Sequence, residues 1–356
     1  MAISSVKTSS VVNGFTKSRS LLNGNLTSAT PSGYFALVVS YSPYVQVYRW
    51  YDGFGQKYSD PSTLIQPTYT PGIVRWSNSG NDLGISALGN LYIYSWSDTT
   101  GFGTLHTSAT IAGIQSFRFN NSNNAIAVAT GSSPYVAVYP FTSGTGIGTK
   151  YADPSTLPTG TGTDVAWSPS GDAIAVFHAT SPYVSVYPWS NGFGTKYANP
   201  ATLPTGTAWN GGWSPSGNNI AVSHSTEPNI AIYPWSNGFG TKYADPISPL
   251  PGGTSYTAVW SPSGSNIAIT STRSPYIFVY PFTSGTGFGT KYADPFETIP
   301  SAAYNVQWNK TENAIMVYHD KSPGVSAWKW SNGFGKKYDN IEGIYPNGYI
   351  NDISFK

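Results

Sequence analysis

The sequence predicts an all-β fold, a single seven-bladed β-propeller of four-stranded antiparallel blades, and three observations carry that prediction. An aromatic residue recurs at Tyr48, Tyr94, Tyr139, Tyr187, Tyr233, Tyr280 and Trp328, at spacings of 46, 45, 48, 46, 47 and 48 residues. Each unit holds four short runs rich in β-branched and aromatic residues, separated by Gly- and Pro-bearing turns, which is the pattern of strands and hairpins. No segment has a helical period or a helix's length free of Gly and Pro, so a repeat of this size reads as a propeller blade rather than a helical solenoid. One such sheet has two apolar faces and is unstable alone; it needs copies of itself to pack against.

The fourth repeat, within residues 165–204, shows the elements most clearly. Strand a is expected over 164–168, followed by a Pro-Ser-Gly turn, strand b over 173–178, strand c over 183–189 and strand d over 194–198. Residues 199–204 then cross to the next blade. The strand-a aromatic recurs at Trp76, Phe119, Trp167, Trp213, Trp260 and Trp308, and once more at Phe355. This register sets blades near 29–58, 71–106, 114–151, 162–197, 208–243, 255–292 and 303–338. The a–b and c–d loops lie on one face of the ring, the b–c loops and the crossings on the other.

The two ends are irregular in an informative way. Residues 13–18 read as a worn strand d, and 25–33 as a worn strand a in which Ala29 replaces the aromatic. Residues 349–355 read as a sound strand a with no b, c or d after it. We therefore expect Tyr349, Ile350, Ile353 and Phe355 to close the ring against the blade built from 34–58, which removes the open edge between first and last blades. The propeller then occupies 29–356, and residues 1–28 are a surplus N-terminal arm. They either lie over the outer edge of the disc or add a strand to a neighbouring protein.

Composition narrows the function classes. A chain of 356 residues buries about three quarters of its unfolded surface and needs no disulfide or metal staple; it has no Cys. Charged residues make up 10%, against about 25% in typical soluble proteins. The net charge of +2 gives no argument for nucleic acid. No apolar run approaches a membrane span, and the first residues lack the apolar core of a secretory signal.

No residue set stands out as catalytic, metal-binding or cofactor-binding. His178, His224 and His319 share the end of strand b in three separate blades, where hydrogen bonding to the crossing loop explains them better than a shared metal. Lys57, Lys150, Lys196, Lys242, Lys291 and Lys337 mark the outer strand, as edge-protecting lysines do, rather than a basic girdle. Asp60, Asp153, Asp245 and Asp294 each precede Pro, as turn residues. Trp50, Trp96, Phe141, Trp189, Trp235, Phe282 and Trp330 end strand c in every blade, and such uniformity fits packing rather than sugar stacking. The b–c loops vary most, so Glu227, Arg273, Asp320 and Lys321 are the candidate recognition face.

The motif V-x-W-S-P-S-G-x-x-I-A-V…V-x-V-Y resembles the WD-repeat propellers across nearly the whole chain. Tyr stands where that family has Trp, Pro188 where it has Asp, and no Gly-His pair precedes strand a; that family's buried hydrogen-bond network is not expected here. The longer motif SPYVxVYPWSNGFGTKYADPxTLPTG, nearly intact at 181–206 and again across 229–246, is similar to tandem repeats in virion proteins of tailed phages. That resemblance implies a non-enzymatic structural or interaction module of the virion, on the tail as an adhesion component or on the capsid as decoration. Its partners would be other virion proteins, reached through residues 1–28, with a host surface glycan as a further candidate and no cofactor, nucleic acid or membrane. The alternatives are a lectin-like propeller with aromatic pockets between blades, a cellular scaffold for protein–protein contacts, and, ranked last for want of a localised polar cluster, an enzyme working in the central funnel.

Overall fold

A computed structural model describes residues 30–63, 65, 72–87, 89–107, 110–247, 250–340 and 350–356. Among them there is no helix, and the strands form seven antiparallel sheets arranged as the blades of a ring. The N-terminal arm and Tyr349 lie outside the described residues.

The ring closes as the sequence predicts. The last strand, Ile350–Phe355, pairs antiparallel with Gly33–Val39, with Phe35 opposite Phe355 and Leu37 opposite Ile353. Blade 1 therefore takes its innermost strand from the C-terminal end and its other three from residues 33–57. Ile350 and Ile353 are buried among Leu37, Val39 and Met316, and Phe355 packs on Phe35 and Trp50. A second closure lies at the rim: Tyr338 of blade 7 packs edge-on against Trp50 of blade 1 at 5.0 Å and donates its hydroxyl to Asp52 at 2.6 Å.

That rim contact is the general rule between blades. The Tyr that ends the outer strand inserts into the next blade's aromatic cluster: Tyr58 on Trp96 at 4.8 Å, Tyr151 on Trp189, Tyr197 on Trp235 and Tyr292 on Trp330, the last three at 5.1 Å. The strand-c aromatics are thus held edge-to-face on three sides, Trp189 by Trp167, Phe193 and Tyr151. Edge-to-face geometry suits the ring quadrupoles and contributes beyond plain burial. The expectation that these aromatics serve packing is met.

The outer strand departs from expectation in a patterned way. Blades 1, 2 and 7 have outer strands Phe54–Lys57, Gly101–Thr107 and Phe334–Lys337. In blades 3 and 6 it shrinks to Gly146–Ile147 and Gly287–Phe288, and in blades 4 and 5 to the single bridges Trp189–Phe193 and Trp235–Phe239. The residue before the strand-c aromatic decides this. It is Arg49, Ser95 or Lys329 where the outer strand is long, and Pro140, Pro188, Pro234 or Pro281 where it is short. Pro188 accepts a bond from Gly194 N at 2.9 Å through its carbonyl, but it has no N–H to return.

Candidate functional site

The innermost strands surround a central channel and carry its polar lining. They are Ile73–Trp76, Ile114–Phe119, Gly162–Trp167, Ala208–Trp213, Ala258–Trp260, Ala303–Trp308 and Ile350–Phe355. The residue two before the terminal aromatic is buried between blades, as with Val74, Phe117, Val165, Val306 and Ile353. The residue three before it is polar in six of the blades: Ser116, Asp164, Asn210, Thr257, Asn305 and Asp352, with Ile73 the exception. The residue four before it sits at a β-bulge in five blades, where the ladder skips Gln115, Thr163, Trp209, Tyr304 and Asn351. A bulge re-aims the side chain it carries. Simple alternation would put positions three and four on opposite faces; the bulge lets both line one cavity of about 180 Å³ at the channel mouth.

The floor of this mouth is two buried ion pairs with their hydrogen-bond shells. Asp164 accepts from Ser116 Oγ and Asn210 Nδ2, and from Arg118 Nη2 at 3.3 Å. Asp352 accepts from Arg75 Nη1 and Asn305 Nδ2, and from Val74 N at 3.1 Å. Each carboxylate therefore ties three consecutive blades together: 3, 4 and 5 for Asp164, and 7, 1 and 2 for Asp352. Burial pushes the Asp164 carboxyl up to about 6, with the Ser116 hydroxyl, the Arg75 charge and the backbone N–H groups of Val165 and Gly211 opposing it. Burial raises Asp352 as well, against the pull of Arg75 and the N–H of Val74. Asp164 therefore stands near the point of exchanging a proton at neutral pH.

One wall of the mouth is aromatic. Trp209, Tyr256, Tyr304 and Tyr318 follow one another with ring centroids 5.6, 5.3 and 5.7 Å apart, and Trp209 keeps 37% of its surface exposed. Blades 5, 6 and 7 supply this arc. The equivalent positions in the other blades are Gly72, Gln115, Thr163 and Asn351. In a chain whose blades are near copies, the wall and floor of the channel are where they differ.

Sequence reasoning missed this cluster because it looked for features that recur. The signal was present: counting back from each strand-a aromatic gives Asp164, Asn210, Asn305 and Asp352 at one register. Glu227, Arg273, Asp320 and Lys321 are all exposed on the b–c loops, as expected. Six of the seven b–c loops share one backbone form, with a cis peptide before Pro43, Pro134, Pro182, Pro228, Pro275 and Pro323, and the blade 2 loop turns at Gly89 instead. Of the four, Asp320 reaches the channel mouth, accepting from Tyr304 Oη at 3.5 Å.

The other repeated positions are structural, with two amendments. The edge lysines pair with the turn aspartates of their own blade, Lys57 with Asp60 at 2.6 Å and Lys150 with Asp153 at 2.7 Å, and likewise Lys242 with Asp245 and Lys291 with Asp294. The histidines bond mainly to their own b–c loop and strand c rather than to the crossing. His178 Nδ1 lies 2.8 Å from Thr180 O and its Nε2 3.1 Å from Ser185 Oγ, and His319 Nε2 lies 3.0 Å from Ser326 Oγ. Burial lowers all three to about 4. No group of acidic residues and histidines among the described residues is placed to hold a metal ion.

No protein-family model and no curated protein matches the chain. Solved structures do. The periplasmic gluconolactonase of Pseudomonas aeruginosa is similar with a TM-score of 0.65 at 14% identity, over 91% of this chain and 99% of that one. A putative 6-phosphogluconolactonase from Bacteroides fragilis gives 0.70 at 11% identity, over 92% and 99%. The β-propeller domain of Swd1 from Myceliophteria thermophila gives 0.61 at 12% identity, over 86% and 100%. At such identities the fold is shared and no residue role carries across. The expectation of a non-enzymatic chain is nonetheless overturned. The fold is shared with lactonases over nearly its whole length, and the localised polar cluster whose absence argued against a working funnel is present at Asp164, Arg118, Asp352 and Arg75.

Proposed function

We propose that this protein is a recognition component of a tailed-phage virion, and that it takes a surface saccharide in the mouth of its central channel. The observation that carries the site is the Trp209–Tyr256–Tyr304 wall standing over Asn210, Thr257 and Asn305. Aromatic faces receive the apolar face of a sugar ring, and fixed amides and hydroxyls read its hydroxyl groups. The pockets lie in the channel rather than between blades, where the aromatics are packed. The long motif at 181–206 supports the virion setting. In that setting residues 1–28 dock the disc on neighbouring virion proteins, and deleting them is expected to abolish its incorporation.

A second reading, hydrolysis of a sugar lactone at the same mouth, is favoured by Asp164. Its carboxyl near 6, with the Arg75 guanidinium also lining the mouth, is suited to moving a proton while a cation steadies developing negative charge.

Titrating the full chain with host surface polysaccharide fragments while following tryptophan fluorescence tests the binding reading. A saturable change that disappears in Trp209→Ala supports it, and a flat response to every fragment overturns it. Acid release from glucono-1,5-lactone, lost in Asp164→Asn, supports turnover; the uncatalysed rate at all pH values removes that second reading.

A further inference from the structure

The channel has another end, and its chemistry differs. Beyond the ion pairs, on the side of the a–b turns, lies a second cavity of about 350 Å³. Arg75 and Arg118, at the same register in adjacent blades, line it together with Asn210, Gly212, Gln307 and Trp260, and no Asp or Glu is in its lining. The carboxylates of both pairs stand two residues earlier on their strands, toward the mouth. Arg118 lines this rear cavity and not the mouth, Arg75 lines both, and Asp164 and Asp352 line the mouth alone, so the positive charge of each pair is open to the rear.

The guanidinium groups keep donors to spare. Among the described residues, the side-chain bonds of Arg75 leave from Nη1 alone, and those of Arg118 are long, at 3.3 and 3.5 Å; a guanidinium has five N–H donors. Trp213 adds a further irregularity in the same lining. Trp76, Trp167, Trp260 and Trp308 give their indole N–H to a backbone carbonyl of the preceding blade, whereas Trp213 Nε1 is buried without a partner. Where two further side chains would stand, blades 4 and 5 have Ala166 and Gly212, and a Cβ at Gly212 would meet only Ala166 Cβ at 3.9 Å. The cavity is kept open by small residues and charged by large ones.

We infer that this rear cavity is an anion-binding site that takes the carboxylate or phosphate group of a small sugar acid or sugar phosphate on Arg75 and Arg118. The paired carboxylates hold both guanidinium groups in place, so little ordering is left for the ligand to impose, and planar oxyanions suit the guanidinium fork. The neutral sugar body lies against the edge of Trp260 and the amides of Gln307 and Asn210.

Isothermal titration of the full chain at fixed low ionic strength with D-galacturonate, glucose 1-phosphate and glucose tests this. At least one of the two anions is expected to bind, and glucose at least tenfold more weakly, since charge-assisted bonds separate them by roughly ten- to hundredfold; the anion preferred identifies the oxyanion. Arg118→Gln is expected to weaken binding by a similar factor. Gly212→Leu leaves both ion pairs intact and fills the cavity, so it abolishes binding while its melting curve stays that of a folded propeller. Binding of neither anion, equal binding of glucose, or unchanged affinity in Gly212→Leu overturns the site. Trp209→Ala leaves anion binding unchanged, so this outcome is separate from that of the channel mouth.

Discussion

Asp164 is 2% exposed and holds its charge only because its neighbours are built around it. Ser116, Arg118 and Asn210 come from three blades to meet it. Removing one partner of such a buried pair leaves the others without an acceptor, at about 3–5 kcal/mol. Asp164→Ala is therefore expected to lower unfolding stability by that order, and Asp164→Asn by less, since its amide oxygen still accepts from Ser116 or Asn210. Urea unfolding of the three proteins measures it; an alanine variant as stable as the parent would mean that the channel residues do not bind the ring together. These residues were individually visible in the sequence, but their convergence was not. Alternation alone separates Asn210 from Trp209 and Asn305 from Tyr304, and only the bulge brings each pair to one cavity. Repeat reasoning averages over the blades, whereas the site is made of what the averaging discards.

Strands a, b and c were legible as elements, because runs of β-branched and aromatic residues recur in register in every unit, with Pro-Ser-Gly turns at 169–171, 215–217 and 262–264 marking the a–b hairpin in three of them. Strand d was not, because the Gly-x-Lys-Tyr pattern stands at 55–58 and 335–338, where the outer strand is long, and equally in blades 3 to 6, where it is short. The deciding residue sits on strand c. Pro188 and Pro234 withhold an N–H from the outer strand, and those blades keep only one bridge there. Pro188→Ser restores the donor, and a net hydrogen bond contributes about 0.5–1.5 kcal/mol. Losing the ring's restraint on the unfolded chain costs about 0.4–1 kcal/mol. The two nearly cancel, so overall stability is expected to stay within about 1 kcal/mol. Amide exchange at residues 193–197 should slow all the same, and exchange unchanged from the parent would refute the role given to Pro188. The Tyr latches explain how blades 4 and 5 do without a full outer strand. Tyr197 and Tyr243 reach over into the next blade at 5.1 and 5.2 Å, so the rim is held by rings rather than by a ladder.

At the scale of the whole ring, pH acts through groups spread over several blades. His178, His224 and His319 take up protons only near 4 in the folded protein, against 6.5 for an ordinary imidazole. The unfolded chain binds these protons first, so stability is full above about 6.5 and falls as the pH drops toward 4, by about 1.4 kcal/mol per pH unit for each group. Asp164 works in the opposite sense: held near 6 instead of 3.8, it costs stability as the pH rises through that interval, and Asp82 and Asp352, also raised by burial, have the same sign. Asp52, Asp172 and Glu312 are lowered and side with the histidines at the acid end. The three imidazoles act across the whole interval and outweigh the three carboxyls, so the urea midpoint should climb from pH 4 to 6.5 and then level off. A midpoint that is flat or declines over that range would rule out neutral buried imidazoles. Ring closure is the property that was most legible, because residues 349–355 repeat the strand-a pattern while the stretch before the blade built from 34–58 has Ala29 in place of the aromatic. Deleting residues 350–356 uncovers Phe35, Leu37 and Val39, all fully buried now, and strips Arg75 and Asn305 of Asp352. Each apolar side chain uncovered forfeits about 1.5–3 kcal/mol, and the remaining rim latch from Tyr338 to Trp50 and Asp52 is too small to replace them. The truncated chain is expected to melt far below the parent and to self-associate through its open edge, and a synthetic peptide of residues 349–356 should restore a monomer. A truncated monomer with the parent's melting curve would show that the other six blades and the rim latch hold the ring without its last strand.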